Sequence, residues 1–147
     1  MKSAPVIKVG VVLPASIGDP GDYLANARAL DAAGAEMLEV DGDREAQWVV
    51  LGAIAAVTER IKLRTPSGRN SDQLDRLSRG RALVELPANE KWVNISMPAD
   101  RASWAVAIRE QEGAGVTGVI VTWDERLIDL LRNPDPDDRS DLLMSTG

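Results

Sequence analysis

"VIKVGVVL", Val6 to Leu13, is β-branched, almost wholly apolar and bounded by Pro5 and Pro14. A short run of this kind between breakers suits a strand buried on both faces, as the strands of a parallel sheet are. The segments after it decide the class. A turn rich in Gly, Asp and Pro (Ile17 to Asp22) leads to Tyr23, Leu24, Ala27, Leu30 and Ala33 at helical spacing, with Gly34 where a C-cap glycine belongs. Met37 to Val40 then reads as a strand, Glu45 to Thr58 as a helix apolar over most of its surface, and Ile61, Leu63 and Thr65 as a third strand. Ser71 to Ser78 is a short helix with an N-cap serine, and Arg81 to Leu86 a fourth strand. Strands alternating with helices predict a parallel sheet with right-handed crossovers. Beyond Pro87 the spacing predicts a strand at Trp92 to Met97, a helix at Asp100 to Glu112 after Pro98, a strand at Val116 to Trp123 and a helix at Glu125 to Arg132. The acidic, turn-rich tail ends in an apolar cluster, Leu142 to Met144.

Composition narrows the chemistry. A chain of 147 residues is the size of one ordinary domain, residues 1 to 147, with room for a hydrophobic core. It has no Cys and no His, which excludes disulfides, thiol catalysis, zinc or iron–sulfur sites and any triad that needs an imidazole. The net charge of −6 argues against general nucleic-acid binding and favours small-molecule or protein partners. Lys8 interrupts the N-terminal apolar stretch, so it does not read as a secretory signal, and a cytoplasmic protein is expected. The longest apolar run, Trp48 to Val57, is half of the ~20 residues that a bilayer-spanning helix needs, so no membrane partner is expected.

Four stretches invite a functional reading. In "MLEVDGDRE" (37–45) acids cluster at the C-terminal end of a strand, where parallel α/β proteins place ligands. One turn supplies too few oxygens for a metal, and Asp43 reads as the N-cap of the next helix. "GAGVTG" (113–118) matches the dinucleotide pattern in letters only, because a helix precedes it and a strand comes after, the reverse of the order that fingerprint needs. "DPDDRSD" (135–141) fails the calcium-loop template at Arg139, Ser140 and Thr146 and reads as a solvated turn. Between Arg60 and Arg81 seven basic residues face two acids. Gly68, Arg69, Asn70 and Ser71, leading into a helix, could hold a phosphate, while the plainer reading is that these arginines pair with the acidic remainder. The four tryptophans read as core or interface residues, with Trp123 the one placed to cover a flat ring.

"KVGVVLP" (8–14), "AAGAEMLEVDG" (32–42), "LGAIAAVTERIKLRT" (51–65) and "LDRLSRGR" (74–81), in that order, resemble the opening of the bacterial luciferase-like monooxygenase superfamily, which includes the coenzyme F420-dependent reductases. The resemblance covers about the first 86 residues. It implies a (β/α)8 barrel, a fold of ~250 residues, so this chain would form a partial, half TIM-type barrel of parallel strands alternating with helices. It further implies that FMN or F420 binds at the C-terminal ends of the strands, with Pro14, Ala15, Asp41 and Thr65 lining the site; the family holds the cofactor phosphate largely with later strands, so here a second subunit or the basic loop around Arg69 must replace those contacts. Asp41 matches the Asp of the family's Asp-His pair and Gly42 stands for the His, while "VELPANE" (84–90) stands where the family is glycine-rich. A half-barrel exposes two edges and one flank of its core, which predicts a homodimer. The functional expectation is a truncated luciferase-like, flavin- or F420-dependent oxidoreductase. The alternative is a non-catalytic homodimeric α/β module that has lost cofactor binding. A flavodoxin-like doubly wound sheet fits the length, although its phosphate loop would fall at Pro14 to Gly21, which has Ser16 as its only hydroxyl.

Overall fold

The computed structural model describes residues 7–14 and 16–133. Among the described residues, six strands and five α-helices alternate, except that β5 follows β4 directly, in the order β1 (Lys8–Pro14), α1 (Pro20–Ala33), β2 (Met37–Asp41), α2 (Arg44–Val57), β3 (Lys62–Arg64), α3 (Asp72–Leu77), β4 (Ala82–Leu83), β5 (Trp92–Asn94), α4 (Arg101–Gly113), β6 (Gly118–Thr122) and α5 (Leu127–Arg132). All strands are parallel, in the spatial order β4-β3-β2-β1-β6-β5. Each step from β1 to β4 moves one way across the sheet, and the step from β5 to β6 moves the same way, back towards β1. Right-handed crossovers that never reverse direction put every helix on one face. Tyr23, Ala27 and Leu30 of α1, Leu51 and Ile54 of α2, Leu74 of α3, Trp104 of α4 and Leu127 of α5 accordingly join one core with Val9, Val11, Leu13, Leu38, Val40, Leu63, Val119 and Val121. A doubly wound sheet has helices on both faces, so the flavodoxin-like alternative is overturned. The order is that of an eight-stranded barrel lacking two strands between β4 and β5: a partial α/β TIM-type barrel.

The helix boundaries reflect local chemistry. Asp19, Asp43, Ser71 and Asp100 cap α1 to α4, each accepting a backbone N–H three residues on. Gly34 ends α1 in the left-handed region at φ 100°, as its place in the sequence predicts. Pro20 opens α1, three residues before the first apolar position, because a proline at the first turn loses no helical hydrogen bond. Gly115, at φ 81°, carries the chain out of α4 towards β6, so "GAGVTG" is a helix exit. The fourth strand is shorter than Arg81 to Leu86, covering only Ala82 and Leu83, and the fifth ends at Asn94 instead of Met97. Both are sheet edges, where only one neighbour fixes the backbone. The tail, with its Asp cluster and Leu142 to Met144, lies outside the described residues.

The second face of the sheet, a barrel's interior, is where the structure departs most from expectation. Successive rows across it are Trp92, Gly118 and Lys8; then Asn94, Ile120, Gly10, Met37 and Lys62; then Thr122, Val12 and Glu39, with Arg64 beside Glu39. Barrel interiors are normally filled by layers of branched apolar side chains. Here Lys8 pairs with Glu90 at 2.6 Å, Lys62 with Glu36 at 3.3 Å and Arg64 with Glu39 at 2.8 Å. The Trp92 ring lies across this face, so close to Gly118 that a Cβ there would stand 2.5 Å from it, and it shelters Gly10, Met37 and Ile120. The uncovered flank is therefore crossed by ion pairs and by the Trp92 ring. β1 is buried on its helix side and only partly on the other, with Lys8 and Val12 half-buried and Pro14 exposed.

Candidate functional site

The strands' C-terminal ends carry one cavity built from several elements. It has a volume of about 440 Å³ and lies over β2 and β3, lined by Glu39, Gln47, Arg64, Thr65 and Gly68 together with Val40 and Pro66. Asp43 fixes the first turn of α2, and this turns Gln47 back over the strand, where its amide donates to the Val40 carbonyl at 2.7 Å. Glu39 and Arg64 hold each other across the adjacent strands at 2.8 Å. Thr65 leaves β3 at the start of a single 3-10 turn, Pro66–Gly68, yet its hydroxyl makes no capping bond. Its Oγ1 is buried without any hydrogen-bond partner, in a residue only 4% exposed. A buried hydroxyl left unmade costs about 1–3 kcal/mol, so an orphan beside a polar cavity points to a ligand group that completes it.

The candidates from the sequence do not all converge there. Thr65 lines the cavity. Asp41 is exposed at the end of β2, in register with Pro14 of β1, and both stand on the interior side of the sheet's top edge. Tyr23 fixes that edge by donating its hydroxyl to the Pro14 carbonyl, and burial pushes the phenol up to about 12. Arg69 is exposed in a neighbouring groove between α2 and α3, apart from Thr65, because the left-handed Gly68 turns the chain away between them. Ala15 lies outside the described residues. Glu39, Gln47 and Arg64 were not legible as site residues. Only the alternation of β2, which turns Glu39 away from the core side taken by Leu38 and Val40, could have flagged the first.

The other half of the top edge is tied to itself. Asp124 accepts from the backbone, Nε and Nη2 of Arg126 at 2.9, 2.9 and 3.0 Å, which holds its carboxyl down to about 2 and raises Arg126. Arg126 also donates to the Ala99 carbonyl, and Arg101 pairs with Asp129. Trp123 packs half-buried against the helix-side core, so it does not cover a ligand on the interior face.

Of the basic stretch, Lys62 and Arg64 pair with Glu36 and Glu39, while Arg81 does structural work at the opposite end of the sheet. Asp31, at the end of α1, accepts the backbone N–H groups of Glu59, Arg60 and Ile61 at 2.7, 3.1 and 2.8 Å. Arg81 donates to the Thr58 hydroxyl and to the carbonyls of Ser78, Ile61, Ala55 and Thr58, closing the end of α2, and burial lowers its pKa. Arg79 and Gly80, both left-handed, form the turn that aims it. "TERI" and "LSRGR" are thus a clamp on the N-terminal side of the strands, the stability side of barrel folds.

Singly wound parallel strands, helices on one face and a polar cavity over the strand ends define a partial α/β barrel-type chain whose cavity lies where barrels place their sites. No protein-family model matches the chain, and no curated protein matches it. Among solved structures it is similar to the coenzyme F420-dependent tetrahydromethanopterin reductase of Methanopyrus kandleri, at 23% identity and a TM-score of 0.40. The match covers 71% of this chain and 30% of that one, so the chain spans under a third of that protein's length. Among the described residues, no helix is long and apolar enough to cross a membrane.

Proposed function

We propose that this chain is a shortened luciferase-like oxidoreductase homologue that holds the ring of FMN or F420 over the C-terminal ends of β1, β2 and β3. The observation that carries the reading is the orphaned Thr65 hydroxyl, buried at the wall of a cavity of mixed donors and acceptors. The polar edge of an isoalloxazine-type ring offers carbonyls flanking an N–H. Thr65 Oγ1 and the free Gln47 N–H can donate to such carbonyls, and Glu39, which holds Arg64 through Oε2, can accept the N–H at its other oxygen. The fit is to the ring edge. A phosphate arm finds no cation within this cavity other than Arg64, which Glu39 already holds. A bound cofactor of this kind supplies hydride transfer, and the chain's own residues bind and orient it. Titration with FMN and with F420, monitored by cofactor fluorescence, tests the reading. Saturable binding of one of them, weakened about tenfold in Thr65→Val, is expected; no change at saturating concentrations of either overturns it.

A second reading, a non-catalytic α/β module that keeps this architecture for packing, draws on a different observation. The two stretches that most resemble the family, around Thr58 to Ile61 and Ser78 to Arg81, do their work in the Asp31–Arg81 clamp, away from any cofactor. They would persist after binding was lost. The same titration separates the two readings.

A further inference from the structure

Beside the Asp31–Arg81 clamp, three arginines from separate parts of the chain meet at one concavity. It has a volume of about 350 Å³ and is walled by Arg28 of α1, the last turn of α2, and Arg79 and Arg81 after α3. That is the small end of the ~300–1,000 Å³ typical of ligand sites. Arg81 is committed, since its five N–H groups are spent on Ser78, Thr58, Ile61 and Ala55. Arg28 and Arg79 are exposed, and among the described residues neither is in an ion pair. Arg79 is also the only non-glycine residue with a positive φ among the described residues, at 56°. The left-handed region disfavours a residue with a Cβ, and Gly and Asn ordinarily take it. An arginine held there with its guanidinium unpaired gains nothing from the fold to offset the strain, and such positions collect where ligands bind.

The surroundings suit negative charge. The last carbonyls of a helix carry partial negative charge that repels an anion. Here the Ile54 carbonyl accepts from the Thr58 hydroxyl, and the Ala55 and Thr58 carbonyls accept from Arg81, so the end of α2 is masked. Glu59 is the one acid lining the concavity, against three guanidiniums. Asp31, behind Arg81, does not line it and spends its oxygens on three backbone N–H groups.

We infer that this concavity binds a small phosphate-bearing anion, gripped by Arg28 and Arg79 with Arg81 as a fixed charge beneath. A guanidinium fork takes two oxygens at a time. A carboxylate satisfies one fork, whereas two forks from different elements call for the three or more terminal oxygens of a phosphate. The net charge of −6 repels an extended anionic surface, nucleic acid or bilayer, which leaves a small soluble ligand. The site stands at the other end of the strands from Thr65 and does not depend on whether a cofactor binds there.

Isothermal titration of the full chain with inorganic pyrophosphate tests the inference. Saturable binding of one pyrophosphate per chain is expected. Arg79→Asn keeps a side chain that tolerates the left-handed backbone, and Arg28→Gln keeps most of the aliphatic stem. Each should weaken binding roughly tenfold or more, as the loss of a hydrogen bond to a charged group does. Arg109→Gln, at an exposed arginine of α4, and Thr65→Val should leave the affinity unchanged, with thermal melting confirming that all four variants fold. Absence of saturable binding, undiminished affinity in Arg28→Gln and Arg79→Asn, or an equal loss in Arg109→Gln, the mark of diffuse attraction, overturns the proposal. Co-sedimentation with phosphatidylglycerol vesicles that is lost in Arg28→Gln and Arg79→Asn would assign the two arginines to a lipid headgroup and overturn the small soluble ligand.

Discussion

Thr65→Val removes the one group on which the proposed site depends most and leaves nearly everything else in place. Valine keeps the β-branch that fits the extended backbone at this position, φ −80° and ψ 151°. No capping bond is lost, since the hydroxyl makes none. Without a ligand, the wild type carries a buried, unpartnered oxygen worth about 1–3 kcal/mol of desolvation, and valine relieves it. The variant should therefore be more stable than the wild type by about 1–2 kcal/mol. In a chain of this size that raises Tm by roughly 3–8 °C. With cofactor present the order should reverse in sensitivity. The wild type gains about 2.7 kcal/mol at a ligand concentration one hundred times Kd. The variant, short of one hydrogen bond worth ~0.5–1.5 kcal/mol, gains correspondingly less. Urea and thermal melts of both proteins, with and without FMN or F420, give all four numbers. A variant less stable than the wild type in the absence of ligand would mean that the hydroxyl already has a partner. Equal ligand-induced shifts in the two proteins would remove Thr65 from the site.

The clamp, the interior face and the single tyrosine each supply a further test. Asp31→Asn should destabilise the chain by about 2 kcal/mol in urea unfolding, because an amide cannot accept all three N–H groups that the carboxylate holds. A loss under ~0.5 kcal/mol would refute the clamp. Gly118→Ala should cost about 1–3 kcal/mol and change tryptophan emission, since its Cβ collides with the Trp92 ring, and Trp92→Val in the same chain should recover much of the loss. Tyr23 is the only tyrosine, so its phenolate absorbance reports one site. Burial raises its folded pKa to about 12 against an ordinary 10, so its contribution to stability is complete below pH ~10 and lost as pH rises through about 12. A reversible titration midpoint near 10 in the folded chain would contradict its buried bond to Pro14.

The order of strands and helices was legible because each rests on chemistry within a few residues: apolar runs between prolines, the Gly34 cap, and Asp43 and Ser71 at helix starts. The same locality separated "GAGVTG" from a dinucleotide loop, since the elements on either side of it run in the wrong order. The edge strands β4 and β5 were overlong as read because β-branched composition continues past the point where a neighbouring strand stops supplying hydrogen bonds. Of the candidate site, Thr65 was reached through the family resemblance, while its companions came only with the fold.

Taken alone, the sequence determined a parallel α/β architecture without thiol or imidazole chemistry, since strand and helix periodicities and residue types are written position by position. Tertiary structure alone decided that β6 returns to pair with β1, that the interior face is crossed by ion pairs and Trp92, and that Arg69 parts from Thr65 at Gly68. Each of these joins residues distant along the chain or depends on a backbone turn that residue types do not encode. The orphaned hydroxyl of Thr65 is of the same kind. A threonine at the end of a strand is ordinary in a sequence, and it stands out as a candidate only once the packing around it leaves its oxygen with no partner.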